Sequence, residues 1–310
     1  MLNQKFILTV CFAALTTLLV AQSNIRLSNY WGNMYFLTPA AIYDKYAAVF
    51  SVAAKKQWVG IEGSPATLFA SGTKFNEESN TQIGFNFVQD KVGYTSISNL
   101  QLSYGFALQL DYIWQLHFGL GGNYQYMNYD PSQMILEDNS DNAFALSLMK
   151  GKSTFDADFG FEFTTKSLKI GAVSQNLFDA FAIDKRLQSN TNLVYIRYRE
   201  MNQSPVNIGA GVCAIQIGNI YQLEFNTSAY FKFEEKTGYG YEPQILDVGL
   251  FYRTASEVGL NFGFNISKEL HVSYSYDYHF GSIRLGSFGT NEIMLTYHIP
   301  TKCKCHNMWY

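Results

Sequence analysis

Charge is what this 310-residue sequence has least of: Asp, Glu, Lys and Arg make up 15% of it, against roughly 25% in an ordinary soluble domain. A surface wetted by water on all sides carries more, so part of this one faces something else. No Lys/Arg block occurs, and 22 basic against 25 acidic side chains leave a net charge of −3. That removes the electrostatic footprint a nucleic-acid partner needs. Proline is scarce, at 6 residues, while 47% of the chain is hydrophobic; a Pro-rich linker and a disordered chain are both excluded. Long apolar runs are missing with one exception, Phe6 to Ala21 after Lys5. That run is too short to span a bilayer and reads as a signal peptide over 1–21, cut after Ala21 although Leu19 stands where a small residue is preferred. A lipoprotein signal on Cys11 is rejected, because only Phe6 to Val10 precede it and Val10 is not small. Nothing after residue 22 approaches the roughly 18 apolar residues of a transmembrane helix. An exported chain of that kind can still occupy a membrane as a closed barrel.

Cysteine is also sparse. Once the leader is removed, Cys213, Cys303 and Cys305 remain, too few for a disulfide framework. Cys303-Lys304-Cys305-His306 packs three soft ligands into four residues but lacks the second pair of a structural zinc site, so it reads as a local disulfide or free thiols. Cofactor and catalytic signatures are missing as well: no Gly-x-Gly-x-x-Gly before a helix, no phosphate loop, no His-Glu-x-x-His, no Gly-x-Ser-x-Gly elbow. Of the five histidines, His279 alone has a serine and an aspartate nearby, Ser282 and Asp277. Ser282 lies past the strand end, so a structural hydrogen bond in a lumen is the better reading. The sequence makes no case for an enzyme or for a cofactor.

What the sequence has in abundance is Phe, Tyr and Gly, at 25, 22 and 24 residues, arranged with a period of two. Val272, Tyr274, Tyr276, Tyr278 and Phe280 alternate with His271, Ser273, Ser275, Asp277 and His279. Phe155, Ala157, Phe159, Phe161 and Phe163 alternate with Asp156, Asp158, Gly160, Glu162 and Thr164. Leu116 to Tyr126, Val258 to Ile266 and Ile293 to Ile299 do the same. Successive side chains of a strand point to opposite faces, and runs of about ten residues match a tilted strand crossing the hydrocarbon layer. The pattern predicts strands near 46–56, 66–73, 80–90, 97–110, 115–126, 155–165, 168–177, 191–200, 206–218, 220–233, 244–254, 256–266, 270–280 and 290–299. The expectation is an all-β fold, a single antiparallel transmembrane β-barrel of about 14 strands spanning residues 22–310. A segment 22–45 precedes the first strand, tucked into the lumen or along the periplasmic rim, and a tail covers 300–310. A soluble sandwich or lipocalin-like barrel would turn the apolar faces inward instead. Two observations favour the membrane: the polar faces hold Gly, Asn, Ser, His and Asp rather than Lys and Glu, and fourteen strands enclose too much space to fill. Tight connections at 111–114, 165–167, 218–219 and 267–269 and long ones at 127–154, 178–190, 234–243 and 281–289 suit a barrel with one short-turned rim, although Gly218-Asn219 breaks strict parity.

The block Gln57-Trp58-Val59-Gly60-Ile61-Glu62-Gly63-Ser64-Pro65 interrupts the strands with a Trp, two glycines that let the backbone bend or pass a neighbour, and a Pro leading into the next strand. An ordinary hairpin with its Trp in the interfacial girdle fits equally well. Glu62, Arg253, Asp277 and Glu292 are candidates for lumenal ion pairs, the place where a membrane protein tolerates charge. The connection 127–154, with Tyr129, Pro131, Met134 and Ile135, is the preferred partner-binding loop, since Tyr and Met favour interfaces.

With those residues in view, Gln57-Trp58-x-Gly60-x-x-Gly63-x-Pro65 after a first strand resembles the PorP/SprF family of type IX secretion proteins. Asn86 to Gly93, with its Asp90-Lys91-x-Gly93 turn, and Gly171 to Phe178, closing in Asn176-Leu177, resemble further family blocks in the same order. So do Gly249-Leu250-Phe251-Tyr252-Arg253, Tyr274-Ser275-Tyr276-Asp277 and Gly289-Thr290-Asn291-Glu292-Ile293-Met294-Leu295. The last two together are fairly specific, and the resemblance covers roughly 30–299. Two features depart from it: the family usually has Ser-His-Glu where Thr290-Asn291-Glu292 stands, and the Cys-Lys-Cys-His tail lies outside the shared pattern. The resemblance implies an outer-membrane barrel, in contact with outer-membrane lipid, in a Bacteroidota-type cell. It further implies a non-catalytic partner of the type IX secretion or gliding machinery, or the surface anchor of a secreted cargo such as an adhesin. The other function open to such a barrel is a pore for a small solute or lipid, with Asp156, Asp158 and Glu162 on its lining.

Overall fold

The computed structural model describes residues 25–130, 151–182, 187–202, 204–232, 244–254 and 257–301. The signal peptide expected over 1–21, the tail beyond residue 301, and Pro131, Met134 and Ile135 lie outside the described residues. Fourteen strands follow one another: β1 (Tyr46–Lys56), β2 (Ala66–Asn76), β3 (Thr81–Val92), β4 (Thr95–Gln109), β5 (Gln115–Tyr129), β6 (Lys152–Thr164), β7 (Leu168–Gln175), β8 (Thr191–Arg199), β9 (Val206–Ile217), β10 (Ile220–Lys232), β11 (Gln244–Arg253), β12 (Glu257–Asn265), β13 (Leu270–His279) and β14 (Thr290–Pro300). Each pairs antiparallel with its neighbours in sequence, and β1 closes on β14 from Tyr46↔Pro300 to Lys56↔Asn291. Closure leaves no strand edge unpaired, the condition a sheet must meet in hydrocarbon.

The apolar faces point outward. Leu102, Leu120, Phe155, Ile208, Leu260, Phe262 and Tyr274 are all exposed on the outer wall, while Ser273, Ser275, Asp277 and His279, their alternates on β13, are buried within. This decides against the sandwich and the lipocalin-like barrel. β5 runs on to Tyr129, so Tyr129 belongs to a strand and not to the connection, its ring 6.3 Å from that of Tyr94.

β1 starts and β14 ends on the same rim, here the terminal rim; the opposite one is the far rim. The tight turns 110–114, 165–167 and 266–269 lie on the terminal rim. At the first of them Asp111 accepts the N–H groups of Ile113 and Trp114 at 2.7 Å each, an Asx turn that reverses the chain in few residues. Those bonds, Trp114's first, hold the Asp111 carboxyl below its usual range. Rim parity fails at four connections: Gly93-Tyr94, Gly218-Asn219 and 254–256 are short yet join strands at the far rim, and the long 233–243 connection joins strands at the terminal rim.

Of the two placements expected for the segment before β1, the lumen is the one adopted. Residues 25–45 run through it from the far side at Arg26, whose carbonyl accepts from Lys55 Nζ at 2.9 Å, to the terminal rim, where Gln82 bonds Ala41 O and Tyr43 N. Two 3₁₀ turns, Tyr30–Gly32 and Met34–Phe36, pack Tyr30, Trp31, Met34, Tyr35 and Leu37 against wall residues Val88, Leu193, Tyr195, Ile215 and Met294. This is the hydrophobic core of the molecule, and its near-complete burial explains why so apolar a segment shows no alternation.

Candidate functional site

The blocks that carried the family resemblance are far apart in sequence, yet most of them meet on one sector of the far rim, because closure of β1 on β14 brings the two ends of the chain together. Gln57 opens the β1–β2 connection by donating its N–H to Pro65 O at 2.9 Å. Trp58 follows with φ of 51°, its N–H on Thr290 Oγ1 at 3.3 Å and its ring edge-on to His279, centroids 6.2 Å apart. The indole therefore packs on a lumenal histidine, not in the outer girdle. Val59 exchanges backbone hydrogen bonds with Gly289 O (2.9 Å) and Phe288 N (2.7 Å).

Gly60 needs to be glycine on two counts: its φ is +99°, and a Cβ there would lie 2.8 Å from the Phe288 ring. On the other flank Gly63 O accepts from Gly93 N at 2.8 Å, and Gly93 itself has φ of +56°. The connection is thus clamped between the β3–β4 and β13–β14 connections. Nearby, Asp90 accepts from Thr67 Oγ1 at 2.5 Å, Tyr276 OH donates to Phe288 O at 3.2 Å and Tyr274 OH donates to Asn291 Oδ1. Gly60→Val is expected to cost about 1–3 kcal/mol for the strained backbone alone; the denaturant midpoint of the purified barrel reads it, and an unchanged midpoint would show that the clamp carries no stability.

Below this clamp lies a buried charge cluster. Arg253, 1% exposed, bonds Glu224 and lies 3.1 Å from Glu257 and 3.7 Å from Asp277. Its remaining guanidinium N–H groups reach the carbonyls of Ser28 (3.0 Å) and Leu27 (3.4 Å). Glu292 accepts the N–H groups of Ser28 at 2.6 Å and Asn29 at 3.0 Å, Asp277 accepts from Ser28 Oγ at 2.5 Å, and Glu224 from Trp31 Nε1 at 2.7 Å. Buried charge is costly unless every lone pair and proton is matched; here much of the matching is done by the backbone of the lumenal segment. Arg253, Asp277 and Glu292 therefore hold the chain's own plug in place.

Glu62 does not join them, since it lies exposed in the β1–β2 connection. His279 makes the lumenal hydrogen bonds expected of it, 3.1 Å to Thr290 Oγ1 and 3.3 Å to Glu257. Sequence reasoning missed Glu224, Glu257 and Lys55, whose lumen-facing places in the alternation were the available signal, and missed Ser28 and Trp31, which nothing local distinguishes.

The proposed pore-lining acids are also engaged. Glu162 bonds Lys169 Nζ at 2.8 Å and Tyr195 OH at 2.7 Å. Asp156 accepts from Phe178 N at 2.8 Å, and Asp158 from Gln101, Asn123 and Asn176 N. Among the described residues, a lumenal cavity of about 190 Å³ is bordered by Ile25, Lys55, Asn86, Asn123, Asp158 and Arg253.

A family model described as type IX secretion system membrane protein PorP/SprF matches residues 19–297. No curated protein matches the sequence. Among solved structures the barrel is similar to the CymD monoaromatic hydrocarbon channel, at 11% identity and a TM-score of 0.52 over 92% of this chain and 96% of that one. It is also similar to the toluene transporter TbuX of Ralstonia pickettii, at 8% identity and 0.50, over 86% and 92%. At such identities the likeness is one of fold.

Proposed function

This chain belongs to the PorP/SprF family of type IX secretion system membrane proteins, and from that premise we propose that it acts as a non-catalytic outer-membrane component that helps export a cargo protein, such as an adhesin, or holds it at the surface. The observation that favours this over transport of a small solute or lipid is the plug. A permeation path needs a continuous lumen, and residues 25–45 occupy it, anchored by Arg253, Asp277, Glu292 and Glu224 and packed on the wall as one apolar core. The far-rim clamp, built from the family's own blocks, gives a rigid base for loops that meet cargo, with the terminal rim turned to the secretion or gliding machinery in the periplasm.

The test is deletion of the gene followed by quantitative proteomics of outer membrane, cell surface and culture fluid. Loss or release of one large surface protein, other secretion being intact, is the result expected of a dedicated anchor, and a general collapse of type IX cargo that of a core component. An unchanged profile would overturn both and leave the pore.

A further inference from the structure

The outer wall is almost free of charge, and its exceptions are grouped. Among the described strand residues whose alternation faces outward, only Lys56, Lys74 and Lys91 are charged; every Asp, Glu and Arg of those strands alternates inward. Charge on a lipid-facing wall is costly at mid-depth and tolerated near the headgroups, so each of these lysines marks a membrane interface. Lys74 stands toward the terminal rim. Lys56 and Lys91 stand together at the far rim: both pair with Ala66 in the sheet, so they flank one alanine and lie about 10 Å apart at the spacing of two strands. Both are exposed. Lys56 Nζ donates to Ser64 O at 2.7 Å, which holds that ammonium at the rim with two N–H groups left to donate. Neither lysine enters an ion pair among the described residues. Their positive charge is available to a group outside the chain.

Beside Lys56, on the same outward face, the wall is hollowed. A groove of about 360 Å³ is bordered by Ala54, Ala66, Leu68, Tyr274 and Ile293. The register explains it: Ala54 pairs with Leu68 on one side and with Ile293 on the other, and Ile293 pairs in turn with Tyr274. A single methyl group therefore lies among three large apolar side chains. Tyr274 OH donates to Asn291 Oδ1, which fixes its ring as one bank of the groove. A barrel wall in a bilayer has acyl chains for neighbours, and a hollow gives one of them more contact than a flush wall does. Two ammonium groups above it, each matching one anion, suit a lipid that carries two phosphates better than a lipid that carries one. We propose that this corner of the outer wall is a binding site for a phosphorylated glycolipid of the surface leaflet, with Lys56 and Lys91 on two phosphates of one molecule and an acyl chain in the groove over Ala54. This rests on the reading of the far rim as the surface side and goes beyond it by naming a lipid ligand.

The test is native mass spectrometry of the full-length barrel purified in detergent and offered diphosphoryl lipid A, phosphatidylglycerol or phosphatidylcholine, with heat-modifiable gel migration as the check on folding. One lipid A should stay bound, with an affinity at least tenfold above that for phosphatidylglycerol, and phosphatidylcholine should be lost. Lys56→Gln with Lys91→Gln should lower the lipid A affinity at least tenfold, while Lys74→Gln should leave it unchanged. Ala54→Phe fills the groove from the lipid side without altering any charge and should lower it at least threefold. Lipid A held equally well by the double glutamine variant or by Ala54→Phe, a loss as large in Lys74→Gln, or phosphatidylglycerol held as tightly as lipid A would overturn the proposal. Binding in detergent depends neither on which side the rim faces nor on any cargo, so a negative result here and a negative result from the gene deletion are separate failures.

Discussion

Gly119→Val is expected to turn a silent barrel into a conducting one. Gly119 faces the lumen from β5, and the peptide between Pro39 and Ala40 lies directly against its Cα: even a single Cβ there would fall inside contact distance of Pro39 C and Ala40 N. Backbone cannot swing aside as a side-chain tip can, so the valine and residues 38–41 cannot both keep their places. The wall is the firmer partner, because β5 is bonded along its length to β4 and β6. Overpacking of this kind typically costs 1–3 kcal/mol, and displacing the plug relieves it. Planar bilayers read the outcome: no resolved current from the wild type, discrete conductance steps from the variant, with heat-modifiable migration retained. A folded Gly119→Val barrel that stays silent would mean that the segment is not what closes the lumen, and would restore weight to a permeation path elsewhere.

Arg253→Ala should be the most damaging single truncation. It leaves Glu224, Glu257 and Asp277 facing one another in the wall and takes a donor from the carbonyls of Leu27 and Ser28. Removing one member of a buried ion cluster costs about 3–5 kcal/mol, chiefly through the charges left behind. The barrel should therefore unfold at a markedly lower denaturant concentration, and the plug should become open to protease. Arg253→Met combined with Glu224→Gln should recover part of the loss by relieving the uncompensated charge. Equal stability of Arg253→Ala and wild type would show that the cluster does not hold the segment.

Much of the wall was legible in the residues themselves. The run Val272, Tyr274, Tyr276, Tyr278 against Ser273, Ser275, Asp277 marks β13, and the limits expected for β1, 46–56, are those observed. Strand ends drifted where alternation fades into polar sequence, as at Tyr129, which period alone left in a connection. The lumen was far less legible. Asn29 to Tyr43 has neither a helical nor a strand period, because it is enclosed on every side and has no solvent face to alternate against. Trp58 was equally ambiguous: an indole at a rim fits the outer girdle or the lumen, and only the position of His279, more than two hundred residues away, decides for the lumen.

The sequence by itself determined most of the strands, their two kinds of face and the family, because each is written in composition, in a local period or in short blocks of residues. Only the tertiary structure decided that the apolar faces look outward and that the first segment turns back through the lumen. It also decided that Arg253, Asp277 and Glu292 are anchors of that plug and not the lining of a channel. The physical reason is closure. Pairing β1 with β14 sets residues near 28 beside residues near 277 and 292, a juxtaposition made by hydrogen bonds between the chain's distant ends and therefore invisible in any stretch of local sequence.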